Sequence, residues 1–294
     1  MSRLEDDQPF IYVKNKRRKK FNPKSGNIKP LVLNHGLPID KLISNVDHLS
    51  HTIDLMVCNT IVEAATMQDL HSTSNGEMLA KQIICYGLGS PSSNRNSRAQ
   101  LAVLLQLIQA LKCPNVFLYD PVFEANDKKL FDNYKLFVLG KNEECLRAVN
   151  ERTIFYMPHC CWAMYNNVLW ANWTPKRLAN VVFVGNNIQN KAEAECDSTF
   201  KSMYRFICDS LERDMCEVIA LPSLNKGMDS FEDTAVIVFH PGRFPIEDKL
   251  FWKRGPKPDY KGAHFGELIE KSKLKKARAK EDELTQALKD VSLR

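Results

Sequence analysis

The chain has 294 residues, a net charge of +6 and an apolar fraction of 44%, which suits one large domain or two small ones around a sizeable core. No apolar run approaches the ~20 residues that span a bilayer, and the opening MSRLEDDQPF lacks the apolar stretch of a secretory signal. Nine cysteines are scattered without a small-domain disulfide framework, which suits free thiols in a reducing compartment.

The charge is uneven. Residues 1–30 hold nine Lys/Arg against three Asp/Glu, and the run Lys14 to Lys20 is a basic seven-residue stretch in a polar context. It reads as a disordered tail that serves as a nuclear-import signal, a phosphate-contacting arm or a solubilising segment. Residues 271–294 carry eight basic and four acidic groups, which leaves 31–270 at −4. Two basic tails on a mildly acidic body suggest nucleic acid only weakly and argue against a body-wide nucleic-acid surface.

From Pro38 to Gln68, apolar residues recur at helical spacing and predict one or two helices. A further helical stretch near Met78 leads into Ile83-Ile84-Cys85-Tyr86, an apolar run that stops at Gly87-Leu88-Gly89-Ser90. A helical period follows from Ala99 to Leu111, so the segment spells strand, glycine turn, helix. Such a turn aims free helix N–H groups at a ligand. The dinucleotide fingerprint is incomplete, because Ser92 stands where its third glycine would be.

The next apolar runs are Val116 to Tyr119, ending in Asp120; Leu136 to Leu139, followed by a polar helix start at Asn142-Glu143-Glu144; Thr153 to Met157; and Val181 to Val184. A helical region spans Ala192 to Met215. Val218 to Leu221 and Ala235 to Phe239 close the set, joined by a polar loop that predicts a hairpin with one antiparallel strand. The expected fold is therefore α/β: a three-layer, Rossmann-like, mostly parallel sheet with an antiparallel strand at one edge, in the order of class I methyltransferases. The expected division is a tail over 1–34, one domain over 35–265 and a charged C-terminal helix over 266–294.

Ligands of open α/β sheets bind outside the carboxyl ends of the strands. That rule selects Gly87, Gly89, Ser90, Asp120, His159, Gly185 and Asn186 as cofactor-binding positions, with Asp120 suited to accept hydrogen bonds from a ribose. His159 is the one histidine placed for acid–base chemistry. Cys160 and Cys161 follow it, but they point in opposite directions in an extended strand, and no second Cys/His pair has metal spacing, so no metal site is assigned. Trp162 to Trp173 holds three tryptophans, a tyrosine and three asparagines. It predicts a helix beside the crevice, its aromatics in the core and Tyr165, Asn166 or Asn167 on the ligand side. Cys113-Pro114 is a minimal haem-regulatory pattern of almost no specificity, and a proline after a helix end is an ordinary stop signal.

The ordered set Cys85-Tyr86-Gly87-Leu88-Gly89, Tyr119-Asp120-Pro121-Val122-Phe123, Asn142-Glu143-Glu144, Thr153 through Cys160, Tyr165 through Trp173 and Gly185-Asn186-Asn187 resembles the SRR-like ("sensitivity to red light reduced") family over about residues 80–190. The resemblance implies a link to clock-gene expression, circadian rhythm and haem biosynthesis, in cytoplasm and nucleus. The missing third glycine and the lack of a convincing catalytic set point to a regulator acting through unidentified protein partners, its crevice vestigial or a small-molecule sensor, and the lack of a long apolar run points away from a membrane. The resemblance carries over no catalytic residue. Two alternatives stand beside it: an enzyme using an S-adenosylmethionine-like nucleotide held by Gly87, Gly89 and Asp120, and a haem or metal handler working through His159 or a cysteine.

Overall fold

The computed structural model describes residues 37–67, 80–190, 198–224 and 230–260. The basic run Lys14 to Lys20, the stretch near Met78 and the C-terminal helix from Leu268 lie outside the described residues. The helical pattern after Pro38 resolves into two helices, α1 (Ile39–Thr52) and α2 (Met56–Met67). Ile53 is extended and ends the first, and the Asp54 carboxylate accepts the Met56 N–H to start the second. Helix α3 (Arg95–Leu111) opens four residues earlier than its apolar period suggests, because Asn94 caps it, accepting from the N–H groups of Asn96 and Ser97. It stops at Lys112, which takes a left-handed conformation just before Cys113-Pro114.

Seven strands form one sheet: β1 (Gln82–Tyr86), β2 (Asn115–Tyr119), β3 (Phe137–Val138), β4 (Thr153–Met157), β5 (Val181–Asn186), β6 (Cys216–Ala220) and β7 (Thr234–Phe239). Their order is β3-β2-β1-β4-β5-β7-β6. The first five are parallel, while β7 runs antiparallel to both β5 and β6. This is the expected mostly parallel sheet with its antiparallel pair at one edge, and the reversed strand is β7, inserted between β5 and β6.

The central strands are buried on both faces, as a covered parallel sheet requires. Ile83, Cys85, Ile154, Tyr156, Val182 and Val236 pack towards α1, α2, α3 and α4 (Ala125–Asn133). Their alternates Ile84, Tyr86, Phe155, Met157, Phe183 and Ile237 pack towards α5 (Trp162–Ala171), α6 (Pro175–Leu178), α7 (Ser198–Met203) and α8 (Arg205–Glu212). Fully burying each such side chain contributes ~1.5–3 kcal/mol of transfer free energy, which fixes strand register.

Two elements depart from the sequence expectation. No helix starts at Asn142-Glu143-Glu144: the Asn142 side chain accepts the Glu144 N–H at 2.8 Å, and Glu144 and Cys145 both have positive φ. Two successive left-handed residues cannot continue a right-handed helix. Within Ala192–Met215, the helix is interrupted at Tyr204, whose ψ of 42° separates α7 from α8.

Candidate functional site

Register levels the strand exits. Tyr86 is opposite Tyr119, Cys85 opposite Tyr156, and Met157 opposite Gly185. The residues that leave β1, β2, β4 and β5 therefore emerge on one rim.

Gly87 and Gly89 have φ of +71° and +73°, a region that L-residues avoid. Their lack of side chains serves the protein's own packing. A Cβ on Gly87 would lie 2.4 Å from Cys160 Sγ, and one on Gly89 would lie 2.5 Å from Ser97 Oγ. The Cys160 thiol donates to the Tyr86 carbonyl at 3.2 Å, which ties the β4 exit to the β1 exit. Burial holds that thiol well above the ordinary range.

Asp120 stands at the end of β2, and each of its oxygens takes a backbone N–H. Oδ2 accepts from Gly89 at 2.8 Å and Oδ1 from Val122 at 3.0 Å. Burial raises its pKa, the two N–H groups oppose that, and nearby Asp127 adds to the rise. The Ser90 hydroxyl is 3.0 Å from that of Ser92. The Ser92 N–H donates to Asp127 (2.7 Å), a fully buried carboxylate that also accepts the Glu124 N–H (2.8 Å) and completes the capping box of α4. The turn between β1 and α3 is thus bonded at both ends: to β2 through Asp120 and to α4 through Asp127.

The β4 exit carries His159, which is exposed and has φ of 57°. Its Nε2 lies 3.0 Å from the Ser230 carbonyl, which also accepts Gln100 Nε2 at 3.0 Å. The Ser230 hydroxyl donates to Asn96 Oδ1 at 3.2 Å. The imidazole is turned to the segment before β7 and to the start of α3, while Cys160, the next residue, faces Gly87. At β5, Gly185 makes room for Tyr165: a Cβ there would meet the Tyr165 hydroxyl at 2.0 Å. That hydroxyl donates to the Met157 carbonyl and accepts the Asn186 N–H at 2.7 Å. The Asn186 side chain donates to the Cys160 carbonyl at 2.7 Å. Gly89 and Asp120 are therefore in direct contact, as are Asn186 and Cys160, while His159 belongs to a separate network around Ser230.

The asparagines of α5 and its C-cap stitch neighbouring elements together. Asn166 Oδ1 accepts the Phe206 N–H, Asn167 Nδ2 donates to the Glu144 carbonyl, and Asn172 accepts the Val149 N–H and donates to the Arg147 and Val168 carbonyls.

A cluster that the sequence reading passed over lies after β3. Glu143 accepts the Tyr86 hydroxyl at 2.8 Å and is clamped by Arg147 through two 2.8 Å contacts. The paired guanidinium and the tyrosine hydrogen bond hold the Glu143 carboxyl below its ordinary range, against the opposing effect of burial. Arg147 also lies over the Phe117 ring, 5.1 Å from its centre. Glu143 and Arg147 stand four residues apart, the spacing of a helical ion pair, but here they pair within a loop.

Cys113 is buried and its thiol donates to the Asn115 carbonyl at 3.6 Å. Burial raises its pKa despite that bond. Among the described residues, no three His, Cys, Asp or Glu side chains are grouped to hold a metal ion.

Residues 58–238 match the family model of the SRR1 domain. The chain belongs to the SRR1 domain family. It is 29% identical over 176 residues to the SRR1-like protein of Mus musculus, a match that covers 59% of this chain and 69% of the mouse protein. With "Protein SENSITIVITY TO RED LIGHT REDUCED 1" of Arabidopsis thaliana it shares 33% over 110 residues, 37% of this chain and 40% of the plant protein. Among solved structures it is similar to the SAH-bound methyltransferase PaMTH1 of Podospora anserina, at 14% identity and a TM-score of 0.37 over 70% of this chain and 89% of that one. Every strand-end residue described above lies inside the SRR1 domain, whereas the segment after β7 lies beyond it.

Proposed function

We propose that this is a regulatory protein of the SRR-like family, acting through protein partners in clock-gene expression and in the control of haem biosynthesis, in cytoplasm and nucleus, with a strand-end crevice that senses rather than transforms a small ligand. Family membership supports the regulatory part, and the red-light name of the Arabidopsis relative supports a link to light signalling. One observation carries the choice of regulator over enzyme. The groups that a nucleotide cofactor would need are committed internally: Asp120 binds the Gly89 and Val122 N–H groups, and Asn94 takes the N–H groups that open α3.

A second reading, an enzyme using an S-adenosylmethionine-like nucleotide, draws on the strand order and on the left-handed Gly87 and Gly89. Thermal unfolding against S-adenosylmethionine, its demethylated product, NAD, NADP, ATP and haem tests the crevice. A nucleotide at a hundredfold its Kd adds ~2.7 kcal/mol of stability, and a shift of that size that Asp120→Ala removes would show that the crevice holds a nucleotide, as a sensor or as an enzyme, with turnover of the bound cofactor deciding for the second reading. No shift with any of them would favour a regulator that works through partners alone, its crevice vestigial. The regulatory reading expects wild-type protein to restore clock-gene transcript rhythms in cells lacking it; failure of rescue would sink it.

A further inference from the structure

After β7 the chain turns back across the outer face of α5, and its two halves are held differently. The first half, Phe244 to Trp252, is anchored in the core by Phe244, Phe251 and Trp252. Phe251 and Trp252 pack on Trp173 with ring centres 5.3 and 5.6 Å away, Phe244 packs on Trp252, and the Trp173 indole N–H donates to the Phe251 carbonyl. The second half, Arg254 to Tyr260, lies on the surface and is fastened by side chains. The Arg254 guanidinium sits 4.3 Å from the centre of the Trp170 ring, and the Trp170 N–H donates to the Pro256 carbonyl at 2.9 Å. Lys257 pairs with Glu144. The Tyr260 hydroxyl accepts from Asn166 Nδ2 at 2.9 Å and is within bonding distance of Asn167 Oδ1 (2.9 Å) and the Ala163 carbonyl (3.2 Å). Near the start of the second half is Gly255, at φ +72° with nothing within 4 Å of where a Cβ would be.

We infer that Pro256–Tyr260 is a latch that swings about Gly255 and governs the order of the loop 142–147 beside the glycine turn. The chain of contacts is continuous. Lys257 holds the Glu144 side chain, and Asn167, which Tyr260 grips through Oδ1, holds the Glu144 carbonyl through Nδ2. The residue before Glu144 is Glu143, whose carboxylate receives the hydroxyl of Tyr86, immediately ahead of Gly87. Glu144 and Cys145 keep left-handed backbones that surrounding contacts must hold in place. Closing the latch adds two such contacts, and opening it removes them while the aromatic half of the strap stays seated.

Hydrogen–deuterium exchange on the full chain tests this. Three variants loosen the latch in different ways. Tyr260→Phe removes the hydroxyl and Lys257→Ala the ion pair. Gly255→Ala penalises only the closed backbone conformation, because the added methyl meets no atom. Tyr260→Phe and Gly255→Ala should each speed amide exchange in 142–147, where the Glu144 and Leu146 N–H groups are bonded, by about fivefold or more, and Lys257→Ala, which removes an exposed pair, by less, while 244–252 and the sheet keep their wild-type rates. If none of the three variants speeds 142–147, the coupling is refuted. If Tyr260→Phe speeds 142–147 and Gly255→Ala does not, the hinge is refuted. If exchange rises only as part of global unfolding, the strap is one rigid piece and no latch exists.

Discussion

Gly87→Ala puts two separable strains into the glycine turn. The first is conformational: an L-residue at φ +71° costs ~1–2 kcal/mol. The second is steric: the new Cβ would stand 2.4 Å from Cys160 Sγ, and that thiol is 5% exposed and bonded to the Tyr86 carbonyl, so it has little room to retreat. Overpacking of this kind adds ~1–3 kcal/mol, for a total of roughly 2–5 kcal/mol. Cys160→Ala removes the offending sulfur and no other close atom, since the next neighbours of that Cβ are Met164 Cε at 3.9 Å and Cys160 Cβ at 4.0 Å, both ordinary contacts. A double-mutant cycle by urea unfolding should therefore show a favourable coupling of ~1–3 kcal/mol between the two changes, with only the conformational cost left in the double variant. A Gly87→Ala protein within ~0.5 kcal/mol of wild type, or one that Cys160→Ala does not relieve, would refute the claim that this glycine is required by internal packing.

Asn172 is fully buried and accepts the Val149 N–H while donating to two carbonyls. Asn172→Ala should cost ~2–4 kcal/mol in urea unfolding through these orphaned groups, and a loss under ~1 kcal/mol would mean water replaces them. The Cys216 thiol is pushed up from 9.0 to about 12, mainly by burial and further by Asp214, with Arg243 opposing. The folded state keeps that proton where the unfolded chain releases it, so this group's stabilisation is complete below pH 9 and is lost as pH rises towards about 12. Stability measured at steps across that window should fall less steeply in Cys216→Ala than in wild type; equal slopes would refute the assignment. In a haem titration, Cys113→Ala should leave the Soret spectrum as in wild type, because the buried thiol already bonds the Asn115 carbonyl; a band lost in that variant would assign the ligand to Cys113.

The strands were readable because each is a short, β-branched or aromatic run bounded by polar residues, as in Val181 to Val184 and Ala235 to Phe239. The position of β7 between β5 and β6 was not fully specified by the same runs, since a polar loop says that a hairpin forms but not which strand faces the rest of the sheet. Asp120 was legible as the acid ending strand two. Its bond to Gly89, 31 residues away, is tertiary and leaves no local mark. Asn142-Glu143-Glu144 read as a polar helix start for a physical reason: the left-handed Glu144 and Cys145 that forbid a helix are neither glycine nor asparagine. The bonding needs of the α5 asparagines could be inferred from their apolar surroundings, but their partners on Phe206, Glu144 and Tyr260 lie in distant segments.

The placement of β7 also sets the order in which the sheet can be completed during synthesis. When the nascent chain has emerged as far as Ala220, β5 has a free outer flank and β6 has no partner, because the strand that joins both, Thr234–Phe239, is still to come. The growing molecule then presents two unsatisfied rows of peptide groups, the usual templates for pairing with another chain. Release of a truncated product anywhere between residues 221 and 233 would leave it in that state, so premature termination there should yield aggregates rather than a smaller folded protein.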